Sequence, residues 1–123
     1  MAPLKPEISV QYTETATVIT FTKEKILEER DIQNLQESIM PVIEQSEQAQ
    51  FILDFRNVQF LSSAVLGLLL RVSKKVYEKN STLRMCSINP KIYEIFKITR
   101  LNKIFDIYDD LDAALAAGES ASV

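Results

Sequence analysis

The chain has 123 residues, of which 46% are hydrophobic and 25% are charged, a composition that predicts one globular domain with its own core. Its 14 basic and 17 acidic residues give a net charge of −3, which argues against direct nucleic-acid binding because such domains usually carry a basic face. The absence of histidine excludes Ser-His-Asp and Cys-His catalysis and histidine-ligated metal sites.

Glycine and cysteine are also scarce. The two glycines, Gly67 and Gly118, are too few for the phosphate-binding loops of nucleotide-binding folds, so no cofactor is expected. The single cysteine, Cys86, lies in an apolar run and is expected to be buried and unreactive. The N-terminus lacks the apolar core of a signal peptide, and the longest apolar run, residues 58–70, is too short to span a bilayer. We therefore expect a cytoplasmic protein that does not insert into membranes.

The N-terminal part of the chain predicts a β-hairpin. Residues 8–12 alternate between apolar and polar, and residues 16–21 are rich in β-branched side chains. The two segments are expected to pair antiparallel across a turn at residues 13–15. Residues 25–27 predict a short third strand or an extended edge.

A helix follows the hairpin. Asp31 is expected to cap it, and its apolar side chains recur at helical spacing: Ile32, Leu35, Ile39, Val42 and Ile43. Pro41 falls inside this pattern. It should kink the helix near residues 36–37, or else open a second, separate helix.

Strands and helices alternate in the rest of the chain. Strands are expected at residues 51–54, 83–88 and 105–108. Helices are expected at residues 64–77, from the Asn89–Pro90 cap onward, and from Asp109 or Asp110 to Gly118. Residues 101–105 predict either one more helical turn or the approach to the last strand. The apolar side chains at helical spacing are Val65, Leu68, Leu69, Val72 and Val76 in the first helix, Ile92, Ile95, Phe96 and Ile98 in the second, and Leu111, Ala114 and Leu115 in the third.

This order of elements predicts an α/β fold. The sheet is expected to be mixed, with an antiparallel N-terminal hairpin followed by parallel strands, and to be flanked by about four helices. The domain is expected over residues 8–117, after an N-terminal extension at residues 1–7 and before a flexible C-terminal tail at residues 118–123.

Ser62 and Ser63 lie where a strand and a loop lead into an apolar helix, in the run FILDFRNVQFLSSAVLGLLL at residues 51–70. A hydroxyl at this position can cap the helix, and we expect one of the two serines to do so. A nucleophile is disfavoured because the chain lacks both a histidine base and the G-x-S-x-G elbow. A phosphate acceptor is the third hypothesis, since the helix N-terminus tolerates the added negative charge whereas an apolar partner surface does not.

The run LDFRNVQFLSSAVLGLLL resembles the phosphorylation-site segment of STAS domains, especially bacterial anti-sigma factor antagonists. In that family an apolar strand ending in Asp precedes V-x-F-x-D-S-S/A-G-L-G-x-L. The stretch INPKIYEIFKITRLNKIFDIYDDLDAAL is similar to the C-terminal half of the same family. The resemblance covers residues 8–116 and is most specific over residues 51–111.

The resemblance implies roles for individual residues. Ser63 falls on the phosphorylated serine, with Ser62 as a second candidate acceptor. Asp54 falls on the strand-end acid, and loop or structural roles are expected for Asn57, Leu66 and Gly67. Ser62 stands where the family usually has Asp, Ala64 where it has Ser or Ala, and Val65 where it has Gly. The expected partner-binding surface is the loop and the exposed side of the following helix: Phe60, Leu61, Ser62, Ser63, Ala64, Val65, Leu69 and Arg71.

The resemblance also implies a non-enzymatic protein–protein switch, acting as a monomer or weak dimer. The unphosphorylated form would bind a serine-kinase anti-sigma factor and so release a sigma factor. Phosphorylation of Ser63 would abolish that binding, and a serine phosphatase would restore it. Two alternatives are a STAS subunit of a lipid-transport or larger signalling assembly, without phosphorylation, and a STAS domain that holds a nucleotide or lipid. The second is disfavoured because the sequence offers no basic or glycine-rich pocket.

Overall fold

The computed structural model describes residues 7–121, apart from the side chains of residues 119–121. The strands are β1 (Ile8–Tyr12), β2 (Ala16–Phe21), β3 (Lys25–Ile26), β4 (Gln50–Asp54), β5 (Phe60–Leu61), β6 (Thr82–Cys86) and β7 (Asp106–Tyr108). The helices are α1 (Glu29–Gln45), α2 (Ala64–Glu78), α3 (Pro90–Ile98) and α4 (Leu111–Ala121), with a 3-10 turn at Leu101–Lys103.

Five of the strands form one mixed sheet in the order β1-β2-β4-β6-β7. β1 and β2 are antiparallel, as predicted. The short turn between them permits only this pairing, since parallel strands need a long crossover connection. The other neighbours are parallel, and α1, α2 and α3 supply the crossovers that parallel pairing requires. β3 and β5 form a separate two-stranded parallel ribbon. The predicted α/β class is confirmed, although the two-residue strand β5 was not predicted.

The sheet has two unequal hydrophobic layers. Successive side chains of a strand point to opposite faces, so Phe51 and Leu53 of β4 join the large core formed with α1, α2 and α3. Ile52 points the other way, into a small layer with Ala16, Val18, Cys86 and Ala114. α4 covers this second face of the sheet. The burial of Cys86 is as predicted.

α1 begins before the predicted cap. Glu28 is the N-cap residue, and Asp31 is the third helical residue of a capping box, in which its carboxylate accepts the backbone N–H of Glu28 at 3.1 Å. Pro41 lies inside one continuous helix that runs to Gln45. The alternative of a second helix opening at Pro41 is therefore wrong. Pro41 is exposed, so its ring does not enter the packed face of the helix.

Two further differences concern the C-terminal part. Ile98 was expected on the apolar stripe of α3 but lies exposed at its last residue, while Ile92 and Phe96 are buried. Gly118 was expected to end the last helix, but α4 continues to Ala121, so that residues 118–121 of the expected tail are helical. Asn89 caps α3 as predicted, accepting the N–H of Ile92 at 2.9 Å. Residues 1–6 of the expected extension, and residues 122–123, lie outside the described residues.

Candidate functional site

The candidate site is the loop between β4 and α2, at the carboxyl end of the parallel strands. Its backbone is fixed by hydrogen bonds to β3 and to the residue before it. The N–H groups of Gln59 and Phe60 donate to the carbonyl oxygen of Glu24, at 2.8 and 3.1 Å, and the N–H of Ser62 donates to Ile26 at 3.0 Å. The loop therefore presents its side chains from a preformed backbone.

Two asparagines complete this scaffold. The side-chain amide of Asn57 donates to the carbonyl oxygen of Phe21 at 3.0 Å, in line with its expected structural role. The amide of Asn89 donates to the carbonyl oxygens of Val58 and Gln59 at 3.2 and 3.3 Å, while its own oxygen caps α3. The sequence predicted only the cap, because the second role depends on residues about 30 positions away.

The two serines differ in exposure. Ser63 is the N-cap residue of α2 and its side chain is exposed, but its hydroxyl makes no capping hydrogen bond. The hydroxyl oxygen of Ser62 is buried and has no hydrogen-bond partner among the described residues. The expectation that one serine hydroxyl caps the helix is therefore wrong. Ser63 adopts helical backbone angles (φ −62°, ψ −22°), whereas a capping side chain requires extended angles at this position.

Ser63 is consequently the more accessible of the two serines. The first turn of α2 contains no acidic residue, so its positive dipole end is not neutralised by a carboxylate. Ser62 lacks this access because its hydroxyl oxygen points into the protein.

Asp54 anchors the start of the loop. Its side chain is 0% exposed, and its carboxylate accepts the backbone N–H and the Nε of Arg56, at 3.0 and 2.8 Å. The same hydrogen bonds and the charge of Asp54 raise the pKa of Arg56. This pair stabilises the turn after β4, which gives Asp54 a structural role.

The exposed side of α2 differs from the one expected. Leu61, Val65 and Leu69 are buried in the main core, so the assignment of these three side chains to a partner surface is wrong. Val65 and Leu69 belong to the buried helical stripe that also holds Leu68, Val72 and Val76. The accessible side chains near Ser63 are those of Phe60, Ala64, Leu70 and Arg71.

The fold also gathers cations that the sequence keeps apart. Lys25 lies over the ring of Phe60, with its Nζ at 5.7 Å from the ring centre. Arg56 and Lys91 line a cleft of about 480 Å³ together with Phe60 and Asn89. The expectation that the chain has no basic pocket is therefore wrong, since the loop after β4 and the start of α3 each contribute one cation.

The other side chains that could carry chemistry are the thiol of Cys86 and the possible metal ligands. Burial raises the pKa of the Cys86 thiol to about 12, and the neighbouring Asp54 carboxylate acts in the same direction. Among the side chains of residues 7–118, no group of three acidic or cysteine side chains is placed to hold a metal ion. Over the same residues, no helix has the length and apolar character needed to cross a bilayer.

The sequence of the chain matches the family model of the STAS domain over residues 7–114. This match includes the whole sheet, α1 to α3 and the loop that carries Ser63. The chain belongs to the STAS domain family.

Known STAS proteins resemble the chain in sequence and fold. An anti-sigma F factor antagonist of Paenibacillus polymyxa is 32% identical over 71 residues, which span 58% of this chain and 61% of that protein. An anti-sigma factor antagonist STAS protein of Planctomyces limnophilus has a similar structure, with a TM-score of 0.83 at 22% identity, over 91% of this chain and 97% of that chain. The phosphorylated form of the Bacillus cell fate determinant SpoIIAA has a TM-score of 0.66 at 15% identity, over 89% and 96% of the two chains.

Proposed function

We propose that this STAS domain is a phosphorylation-controlled protein–protein switch of the anti-sigma factor antagonist type, acting in the cytoplasm without catalysis of its own. In its unmodified form it binds a serine-kinase anti-sigma factor, which then releases its sigma factor. The kinase transfers the γ-phosphoryl group of ATP to the Ser63 hydroxyl, which loses its proton, and ADP leaves. The phosphorylated domain dissociates, and a serine phosphatase hydrolyses the phosphate ester to restore the free hydroxyl.

The observation that carries this proposal is the exposure of Ser63 at the start of α2, with a hydroxyl that is not engaged in capping. A kinase must reach the acceptor hydroxyl. A phosphate formed there lies at the positive end of the helix dipole, beside a first turn without carboxylates. The domain can therefore accept the group without unfolding.

The surroundings of Ser63 explain why the phosphate would disrupt a complex. Phe60 and Leu70 expose 44% and 43% of their surfaces on the loop and on α2. A partner that packs on these apolar side chains would have to bury Ser63 with them. Phosphorylation adds about −1.5 to −2 charges at this point, and the partner could not cover them without a large desolvation cost.

The homologous proteins support the same proposal. A relative with 32% identity is named an anti-sigma F factor antagonist, and the structurally similar SpoIIAA was solved in a phosphorylated form. Ser62 occupies the position before the acceptor where the family usually has Asp, so the kinase must recognise this chain without a carboxylate there.

Substitutions of Ser63 test the switch. The serine-kinase anti-sigma factor is first isolated from native cells with the wild-type protein, and its affinity is measured by titration calorimetry. Ser63→Asp should weaken binding at least tenfold because it places a charge in the contact surface, whereas Ser63→Ala should retain the affinity. Ser9→Asp on the exposed face of β1 is the matched control for added charge and should bind normally. Equal affinities of Ser63→Asp and Ser63→Ala would rule the switch out.

Intact-mass and peptide mass spectrometry of the protein from its native cells tests the modification itself. Phosphate on Ser63 that changes with growth conditions supports the proposal. A protein that is never modified and is recovered in a stable complex would instead identify a constitutive STAS subunit of a larger assembly.

A further inference from the structure

The most exposed large apolar side chain of the described residues is Ile98, at the end of α3, with 78% of its surface in contact with solvent. Ile104, which follows the 3-10 turn, is 59% exposed. Phe96, Leu101 and Phe105 of the same segment are buried, and the rings of Phe96 and Phe105 pack at 6.2 Å. These buried anchors fix the backbone and hold the two isoleucines outside the core.

Three cations accompany the isoleucines. Lys97, Arg100 and Lys103 recur every third residue, and consecutive backbone turns link them. The backbone N–H of Arg100 donates to the carbonyl oxygen of Lys97 at 3.1 Å, and the backbone N–H of Lys103 donates to the carbonyl oxygen of Arg100 at 3.2 Å. Consecutive members are therefore within about 7 Å of each other at their Cα atoms. We call residues 97–104 the isoleucine corner.

The charge of the isoleucine corner is opposite to that of the molecule. It contains three basic residues and no acidic residue, so in a chain of net charge −3 the other residues carry −6. The nearest carboxylates in sequence are Glu94, which pairs with Lys97 at 3.2 Å, and Asp106 at the start of β7. Among the side chains that the structure describes, those of residues 7–118, no carboxylate pairs with Arg100 or Lys103 within 4.0 Å.

Helix stability alone does not account for this arrangement. A cation near the C-terminus of α3 is favourable for the helix dipole, which explains Lys97. Arg100, however, has left-handed backbone angles (φ 63°, ψ 16°), where glycine is the least strained residue. The dipole also gives no reason to expose two isoleucines, whose transfer from water to an apolar medium is favourable.

We propose that the isoleucine corner is a peripheral docking site for an anionic lipid bilayer. The isoleucines would enter the boundary between the headgroups and the acyl chains, while the three cations contact lipid phosphates. Aliphatic side chains beside a ring of Lys and Arg are the chemistry of interfacial membrane anchors. A bilayer is favoured over an acidic protein because the three cations lie on consecutive turns beside the two exposed isoleucines, and a plane of lipid phosphates can meet all three cations at once.

This docking would be compatible with the proposed switch and does not depend on it. α3 begins beside the loop of Ser63, where Asn89 contacts Val58 and Gln59, and runs away from it toward the amino end of β7. Ser63 and the isoleucine corner therefore lie at opposite ends of the sheet. A bilayer bound at one end would leave the partner surface at the other end free.

Sedimentation of the full chain with lipid vesicles tests the proposal. Vesicles of phosphatidylcholine with phosphatidylglycerol should bind the protein at least tenfold more strongly than vesicles of phosphatidylcholine alone, and added salt should weaken the binding. Ile98→Ser/Ile104→Ser should lower the partition coefficient about tenfold. Arg100→Gly should lower it about fivefold without risk to folding, since glycine suits the left-handed backbone at this position.

A control variant on another exposed surface makes the test specific. Tyr12→Ser/Tyr77→Ser removes two exposed aromatic side chains, one on β1 and one on α2, and should leave vesicle binding unchanged. Failure of the wild-type protein to bind phosphatidylglycerol vesicles would overturn the proposal and leave the corner to an acidic protein partner. Equal binding by the wild type and the Ile98→Ser/Ile104→Ser variant would also overturn it.

Discussion

Asp54 is a carboxylate without solvent contact, and its partner Arg56 is more than half exposed. The pair is close in sequence, so the turn after β4 brings Arg56 back over the end of its own strand. The backbone N–H of Arg56 adds one hydrogen bond to the carboxylate. Among the described residues, the negative charge of Asp54 is therefore compensated by one residue alone, through the side chain and the backbone N–H of Arg56.

Removal of the Arg56 side chain should therefore lower the free energy of unfolding by more than is usual for a side chain that is half exposed. Arg56→Ala leaves a buried carboxylate without its counter-charge, and we expect the free energy of unfolding to fall by about 2 kcal/mol, less than for a fully buried pair because water reaches one side. Urea unfolding measures this loss. Arg71→Ala is the matched control, since Arg71 is also exposed and, among the described residues, its side chain pairs with no carboxylate and donates to the side-chain oxygen of Gln36 at 3.1 Å. It should change the stability by less than about 0.5 kcal/mol. Equal small losses for both variants would contradict the buried-charge argument.

The serines mark the limit of prediction at the residue scale. The sequence placed Ser62 and Ser63 correctly at the start of α2, because the change from a strand to an apolar helical stripe is visible in the residue pattern. It could not assign the cap, since a capping side chain depends on backbone angles that the loop imposes through its bonds to Glu24 and Ile26. These acceptors belong to β3 and the residue before it, more than 30 positions away in sequence.

At the scale of elements, the N-terminus of α1 is sensitive to pH. Hydrogen bonds from the backbone N–H groups of Glu28 and Leu27 and the contact with Lys23 lower the pKa of Asp31, against the opposing effect of burial. A lowered pKa in the folded state means that ionised Asp31 stabilises the fold above the ordinary aspartate pKa. This contribution is lost as the pH falls through the lower pKa of the folded state.

Replacement of Asp31 should therefore have an effect that depends on pH. Asp31→Ala should lower the free energy of unfolding by about 1 kcal/mol at pH 7, and the difference from wild type should narrow as the pH falls below about 4. Chemical denaturation at several pH values measures it. Glu37→Gln, on the exposed middle of the same helix, should differ from wild type by less than about 0.5 kcal/mol at each pH. A difference for Asp31→Ala that stays constant with pH would contradict the role of its charge.

The helices also show which elements the sequence could define. Helical spacing predicted α2 to within one residue at its C-terminal end, and its buried stripe is the one that the spacing indicates. The assignment of Val65 and Leu69 to a partner surface failed because it ignored that stripe, which places both side chains toward the sheet. β5 was not predicted because a strand of two residues is too short to show an alternating pattern. It is defined only by its pairing with β3, which is distant in sequence.

At the scale of the whole molecule, the hydrophobic layers on the two faces of the sheet differ in thickness. Three helices pack large side chains against one face, whereas α4 lies on the other through small residues such as Ala114. Arg84 of β6 is buried in this thinner layer and donates to the side-chain oxygen of Gln50 at 2.8 Å. Its Nε has no hydrogen-bond partner among the described residues. α4 must therefore pass close to a polar pair, and this requirement explains Gly118.

The two glycines of the chain should respond in opposite ways to alanine. A Cβ atom on Gly118 would collide with the side-chain oxygen of Gln50 and come within 2.9 Å of the Arg84 guanidinium. Because these contacts are with the ends of two side chains, Gly118→Ala should push the Gln50 side chain aside and break its hydrogen bond to the buried Arg84, lowering the free energy of unfolding by about 1–2 kcal/mol. A Cβ atom on Gly67 meets only Arg71, at 3.6 Å, so Gly67→Ala should stabilise α2 by up to about 1 kcal/mol. Urea denaturation of the two variants measures both changes. Helix propensity alone would make both substitutions stabilising, so an equal gain in both variants would refute the close approach of α4 to Gln50 and Arg84.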